Sequence, residues 1–292
     1  MSAAALVLWQ IYYQPPGSSF NVHKSSTDVI DGTVRSRFIG REEHLLALET
    51  PFYHLGNRAV MKALRNCKER IMQFVKSHHI DVELVVVINT HADPRGGGLL
   101  YAPGAVTTLD SIIQHIFGEF GFLSFRQSVL FLLCCGGLIK QAASEVRRAS
   151  EKFQTVFAFG ARMLDPIATS CHFIATVLDF YVIGRDTLLY SLQRAAKPEV
   201  LVHTSVYVCL SGAKILRMRW ACLRRCPNGY EIRCCEQEPK YMQALRNRIK
   251  YRCTESVHQG PRTITVYLLP AVEGKRWILG TAGRDRYIVD EL

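Results

Sequence analysis

The 292-residue chain has no apolar run approaching the roughly 20 residues that a membrane-spanning helix requires. Its longest candidate, "SVLFLLCCGGL" (128–138), is the size of a strand. The opening "MSAAALVLWQIYYQPP" lacks a basic start and a cleavage signature, so it reads as a first core strand and not as a secretory leader. No internal repeat and no recognisable nucleic-acid-binding module is present. With 48% hydrophobic residues, the chain has enough apolar surface for one or two packed cores. The expectation is a cytoplasmic protein without a membrane partner.

Acidic residues are scarce at one end. Residues 1–200 carry 20 Lys and Arg against 17 Asp and Glu, whereas residues 201–292 carry 16 against 8. The basic character belongs to the last third. Cysteine, by contrast, is plentiful, with ten residues. A chain of this length does not depend on disulfide staples, and Cys67, Cys134 and Cys209 lie inside apolar segments, where free thiols act as small hydrophobes. A reducing compartment follows.

Apolar spacing organises the first two thirds. Val60, Leu64, Cys67, Ile71 and Phe74 recur at helical steps, and Val85–Ile88 form a buried strand that stops at Asn89-Thr90-His91. A helix over 107–120, a strand over 128–135, a helix from Ile139 to Phe153 and a strand over 155–161 follow. Two further helical stretches lie in 168–196, the second with Asp186 as its N-cap. Only 21–37 reads as a loop of any length. Strands alternating with amphipathic helices predict a mostly parallel α/β sheet covered on both faces.

After Lys197-Pro198 the pattern changes to short strands: 199–210, 213–220, 229–236, 248–255 and 262–269. Arg248, Lys250 and Arg252 alternate with Ile249, Tyr251 and Cys253, so one face should be basic and exposed. The predicted organisation is an α/β domain over 1–199 and a basic β-rich module over 200–292.

In a parallel sheet, loops at the carboxyl ends of strands carry the chemistry, and His91 and Cys135 both fall there. A cysteine nucleophile needs a base and N–H donors aimed at the oxyanion that forms on the attacked carbonyl. Adjacent strand tips ending in His and Cys supply both. The 44 residues from His91 to Cys135 leave room for a loop and one crossover helix. Gly136-Gly137 then lead into a helix, whose start favours an anion.

In order, "NTHADPRGGGLLYAPGAVTTLDSI", "VLFLLCCGGL" and "ATSCHFIATVLDFYVIGRDTLLYSLQRAA" resemble the His strand and hairpin, the Cys strand and the following helical segment of the caspase-like fold, within it the CHAT group of cysteine peptidases. The likeness spans roughly residues 80 to 196. It implies a three-layer caspase-like fold and an intracellular cysteine endopeptidase acting on a protein or peptide substrate. His91 would be general base and acid, Cys135 the nucleophile, and backbone N–H groups of Ala92, Cys135 and Gly136 the oxyanion hole. Ala92 stands where the family usually has glycine, and Leu132-Leu133-Cys134 lack the acidic residue of arginine- or lysine-specific relatives. The alternative functions are a non-catalytic scaffold of the same fold and, less favoured, nucleic-acid binding through the basic tail. An acidic partner is the expected ligand of that tail.

No cofactor and no metal are expected. The tail admits a zinc set of Cys226, Cys235, Cys253 and His258, but close-paired ligand spacing occurs only once, at Cys222 and Cys226.

Overall fold

The structure, a computed structural model, describes residues 5–17, 21–78, 81–118, 120–122, 125–161, 163–201, 203–211, 215–221, 232, 234–235, 239–245, 248–254, 257–258, 260–267, 275–279 and 286–291. It divides into two compact units, Met1–Ile215 and Leu216–Leu292.

The first unit runs β1 (Ala5–Tyr13), α1 (Val22–Arg37), β2 (Leu45–Phe52), α2 (Arg58–Ser77) and β3 (Val82–Asn89). A hairpin follows, β4 (Leu99–Ala102) and β5 (Ala105–Thr107), then α3 (Leu109–Phe117), β6 (Gln127–Leu133), α4 (Gly137–Ala149) and β7 (Thr155–Phe159). Helices over Pro166–Ile183 and Leu188–Ala195 lead to β8 (Val206–Leu210). Within the first unit the strands lie in the order β8-β7-β6-β3-β1-β2. Every neighbouring pair from β2 to β7 is parallel, and β8 closes against β7 antiparallel. This is the mostly parallel α/β sheet that the sequence predicts.

The chain steps from β1 outward to β2, then returns to place β3 on the other side of β1. Because βαβ crossovers share one hand, that reversal sends α1 to one face and α2, α3 and α4 to the other. The odd residues of β1, from Val7 to Tyr13, and the even residues of β3, from Val82 to Ile88, pack with Leu64, Cys67 and Ile71 of α2 and with the apolar stripes of α3 and α4. On the opposite face, Phe131 stacks on Phe157 with ring centroids 4.7 Å apart, and Phe157 and Phe159 meet Phe173 edge-on.

Phe173 belongs to the Pro166–Ile183 helix, which corrects the choice of 128–138 as the longest apolar candidate: by length and composition this helix could cross a membrane, and 44% of it is buried within the fold. That buried side, including Ile174, Val177, Leu178 and Val182, covers the second face of the sheet beside α1.

Several sequence expectations need correction. Residues 21–37 are not a loop: Asn21 caps α1 by accepting from the His23 and Lys24 N–H groups, and His23, Thr27, Ile30 and Val34 form its buried stripe. Polar residues hold half of that stripe, which hid its periodicity. Strand β2 was not anticipated. It lies at the sheet edge, where Pro51 is tolerated because an outward N–H has no ladder partner to lose. Thr187, not Asp186, caps the Leu188–Ala195 helix, its side chain accepting from the Tyr190 N–H. The strand expected over 199–210 begins only at Val206, after a helical turn at Pro198–Leu201. Since β8 pairs with β7, the compact first unit extends to Ile215, past the expected boundary at 199/200.

The second unit is antiparallel wherever it is described. β9 (Ile215–Ala221) pairs with β14 (Arg286–Glu291), which pairs with β13 (Lys275–Leu279). β10 (Lys240–Ala244), β11 (Arg248–Cys253) and β12 (Arg262–Tyr267) form a separate sheet. In β11, Ile249, Tyr251 and Cys253 are buried, Arg252 is exposed, and Arg248 and Lys250 are half-buried, as the alternation requires. The strand expected over 229–236 falls largely outside the described residues.

Candidate functional site

Ladder register aligns the two residues singled out from the sequence. β3 pairs with β6 from Glu83 opposite Gln127 to Asn89 opposite Leu133, a constant offset of 44 residues. The Thr90 N–H continues the ladder onto the Leu133 carbonyl at 3.2 Å. His91 and Cys135 share the same offset, each two residues past its strand. The fold therefore carries an imidazole and a thiol to neighbouring strand ends. The β3 end, with His91, borders the point between β1 and β3 where strand order reverses, the place where open α/β sheets form their binding crevices, and the β6 end, with Cys135, is the next strand end along.

A short antiparallel bridge fixes the His91 loop. The Leu100 N–H donates to the His91 carbonyl at 2.8 Å and the Asp93 N–H to the Gly98 carbonyl at 2.7 Å, bracketing the Ala92–Leu99 pair. Gly97 makes the return with φ 73°, in the left-handed region that glycine enters without steric cost.

Gly136 and Gly137 are glycines because three loops converge on them. A Cβ on Gly136 would lie 2.3 Å from the Gly160 carbonyl oxygen, and one on Gly137 would lie 2.4 Å from the Asp93 carbonyl oxygen. The loops after β3, β6 and β7 therefore meet backbone to backbone around Cys135. The Gly136 N–H is spent in this contact, donating to the Ala161 carbonyl at 2.5 Å. Gly136 is thus withdrawn from the expected oxyanion donors. Among the described residues, no acceptor takes the Ala92 or the Cys135 N–H.

The two adjacent thiols differ in setting. Cys134 is 3% exposed, and burial pushes its thiol well above the ordinary range, with Cys135 beside it adding to the shift. Cys135 is half-buried at the margin of the core.

His91 has a partner that the sequence reading missed. Its Nε2 lies 3.2 Å from Nε2 of His23, the second residue of α1, and the two rings meet edge-on with centroids 4.7 Å apart. His23 Nδ1 in turn lies 2.5 Å from Oδ1 of Asn89. The side-chain amide of Asn89 donates through Nδ2 to the Ser26 hydroxyl at 2.6 Å and to the His23 carbonyl at 3.3 Å, so its Oδ1 is the acceptor.

That orientation fixes the tautomers in sequence. His23 must carry its proton on Nδ1 and present a lone pair at Nε2. His91 must then donate through Nε2, which leaves its own lone pair on Nδ1. Burial pushes His23 down to about 4, with smaller opposing and reinforcing contributions from Asn89 and His91, so it is neutral at physiological pH. The outer face of His91 meets solvent, but its inner edge lies against His23 and Tyr13, and this desolvation lowers it below the ordinary imidazole value. Among the described residues, no hydrogen bond joins His91 to Cys135.

His23 and Asn89 were illegible for separate reasons. Asn89 ends an apolar strand and looks like a simple terminator, and His23 sits in a segment read as a loop. The one available signal was the Asn21 cap, which would have placed His23 in the first turn of a helix following β1.

Of the zinc set considered from the sequence, Cys226 lies outside the described residues, as does Cys222. The ligand-type side chains that the fold gathers are Cys234, Cys235, Cys253 and His258. No protein-family model matches the chain, and no curated protein matches it significantly.

Proposed function

We propose that the first unit is a thiol hydrolase, and specifically a caspase-like cysteine endopeptidase of the CHAT type, working in a reducing compartment. The observation that carries the reading is the shared register of His91 and Cys135 at adjacent parallel strand ends, with the lone pair of His91 on Nδ1.

In this mechanism His91 Nδ1 takes the Cys135 proton. The thiolate attacks the carbonyl carbon of a peptide bond, and the developing oxyanion accepts from the Ala92 and Cys135 N–H groups. Collapse breaks the C–N bond, and the leaving amine takes the proton back from His91. Water, deprotonated by the same nitrogen, then hydrolyses the thioester and frees Cys135. During each step His91 is transiently an imidazolium whose Nε2–H still donates to neutral His23. His23 is therefore a positioning residue, holding ring and tautomer as an orienting group does in other nucleophile–base pairs.

A non-catalytic role for the same fold is favoured by one observation, the absence of a hydrogen bond between His91 and Cys135 in this state. The two readings separate by experiment. A peptide electrophile that alkylates activated cysteines should label Cys135 well before Cys134, located by peptide mass mapping. His91→Ala should slow that labelling by about 100-fold, within the range of general-base contributions. His23→Phe should shift its pH profile. Equal labelling in wild type and His91→Ala would remove the peptidase and leave the scaffold.

A further inference from the structure

In the second unit, four soft ligands converge. Cys253 closes β11, buried at 3% exposure and set by strand alternation on the same side as Ile249 and Tyr251. The sulfurs of Cys234 and Cys235 are 3.8 Å apart, and His258 Nε2 lies 3.3 Å from the first and 2.9 Å from the second. All four ligand atoms fall within 4.8 Å of one another. We propose that Cys234, Cys235, Cys253 and His258 bind a zinc ion as a closed structural site.

The dimensions match the ion. With Zn–S about 2.3 Å and Zn–N about 2.0 Å, a tetrahedron has S–S edges of about 3.8 Å and S–N edges of about 3.5 Å. The Cys234–Cys235 edge already has that length, and the others need sub-ångström to ångström-scale adjustment.

Backbone conformation gives a second, independent indication. In an extended chain, consecutive side chains point to opposite sides, so Cys234 and Cys235 would diverge. Cys235 instead adopts φ 52°, a left-handed conformation costly for a residue with a Cβ, and this lets both sulfurs face one point. A strained backbone that converges two thiols is accounted for by a ligand held between them.

The donor set determines what that ligand is. Three thiolates and an imidazole exclude calcium and magnesium, which take oxygen ligands, and match zinc. Four protein ligands leave no open position, so the ion would tie the Cys234–Cys235 turn to the end of β11 and would not activate water. A vicinal disulfide between Cys234 and Cys235 is the competing use of these atoms. It would require the sulfurs to close to about 2.05 Å and would leave Cys253 and His258 without a shared role.

The test uses the full chain, purified under reducing conditions without added metal. Elemental analysis should find about one zinc per chain, released when the thiols are modified. Cobalt(II) exchanged into the protein should give the visible absorption of a tetrahedral ion and thiolate-to-metal charge transfer. His258→Ala and Cys253→Ser should each weaken zinc binding more than about 10-fold, whereas Cys171→Ser, an exposed cysteine of the first unit, should not. His258→Cys should retain the ion with four sulfurs, which separates loss of a ligand from misfolding. The proposal is overturned by folded, metal-free protein that takes up no zinc, by a Cys234–Cys235 disulfide in the peptide map of a second preparation made without reductant, or by unchanged affinity in His258→Ala. Labelling at Cys135 should be the same with and without the ion, so failure here leaves the hydrolase reading standing.

Discussion

His23 keeps its place only while uncharged. A second proton would have to go on Nε2, which faces the Nε2–H of His91, and both rings would then present hydrogens to each other. The folded-state value of about 4, against 6.5 for an ordinary histidine, expresses that cost together with burial. Between those two pH values the unfolded chain binds the proton and the folded chain does not, so stability rises with pH. The contribution is complete above 6.5 and is lost as pH falls to about 4, a change of about 3 kcal/mol at 1.36 kcal/mol per pH unit. Urea unfolding measured from neutral to mildly acidic pH should show that loss, and His23→Gln should flatten most of it. His91, lowered in the same direction, adds to the same slope. A variant with the wild-type slope would mean that other groups carry the acid sensitivity.

Among the elements, the glycine pair between β6 and α4 governs how closely the site can be assembled. Gly136 has φ −65° and ψ 1°, a conformation open to any residue, so its requirement is steric and not conformational. Gly136→Ala or Gly137→Ala would push a methyl carbon into backbone atoms of the Gly160 and Asp93 peptides, which cannot rotate away. Overpacking of this kind costs about 1–3 kcal/mol and should displace the Cys135 loop as well. Both variants should melt lower and lose preferential Cys135 labelling. Gly104→Ala is the contrast: nothing lies within 4 Å of its Cβ position, and its φ of 66° should cost stability without touching the labelling. A chain composed of "CCGG" reveals that something turns sharply there. Which loops press upon the turn is fixed by the β3–β6–β7 order, which sequence alone does not display.

The same division between local and non-local information explains what was legible elsewhere. Buried strands β3, β6 and β7 stood out because coverage on both faces makes them continuous apolar runs. The offset of 44 residues between His91 and Cys135 is readable in the sequence, and it matters because the β3–β6 register brings Asn89 level with Leu133. The His91–His23 contact joins residues 68 apart through a helix with a half-polar stripe, and no periodicity points to it. Likewise Glu83 sits inside an apolar strand and is 2% exposed, with Arg126 and Arg185 guanidinium groups 3.5 and 3.6 Å from its carboxylate. Burial outweighs both cations and raises its value above the ordinary carboxylate range. In the tail, Cys-x-x-x-Cys spacing points to Cys226, whereas a left-handed Cys235 makes the adjacent pair converge. Positive φ at a non-glycine residue has no sequence signature.

For the whole molecule, the position of β8 decides where the first unit can be separated from the rest of the chain. Val206 and Val208 are 0% exposed and Cys209 1%, and the strand pairs with β7 from Phe159–Val206 to Thr155–Leu210. Just before it, the Ser205 carbonyl accepts from the Gly160 N–H at 2.8 Å, and the Thr204 hydroxyl accepts from the Ala161 N–H at 3.0 Å. Gly160 and Ala161 are the backbone against which Gly136 rests, so β8 supports the loop beside Cys135 through one intervening strand. A fragment ending at residue 199, where composition changes, would remove these partners. It would leave the N–H and C=O groups of β7 as an open edge flanked by Phe157 and Phe159, a template for association with other chains. A fragment ending at Ile215 keeps β8 and both helical layers. Residues 1–215 should therefore give a cooperative thermal transition and retain preferential labelling of Cys135. Residues 1–199 should aggregate or melt without cooperativity, as read by size-exclusion chromatography and circular dichroism. If the shorter fragment folds as well as the longer one, β8 is an accessory to the sheet, and the support it lends to the Cys135 loop is not needed.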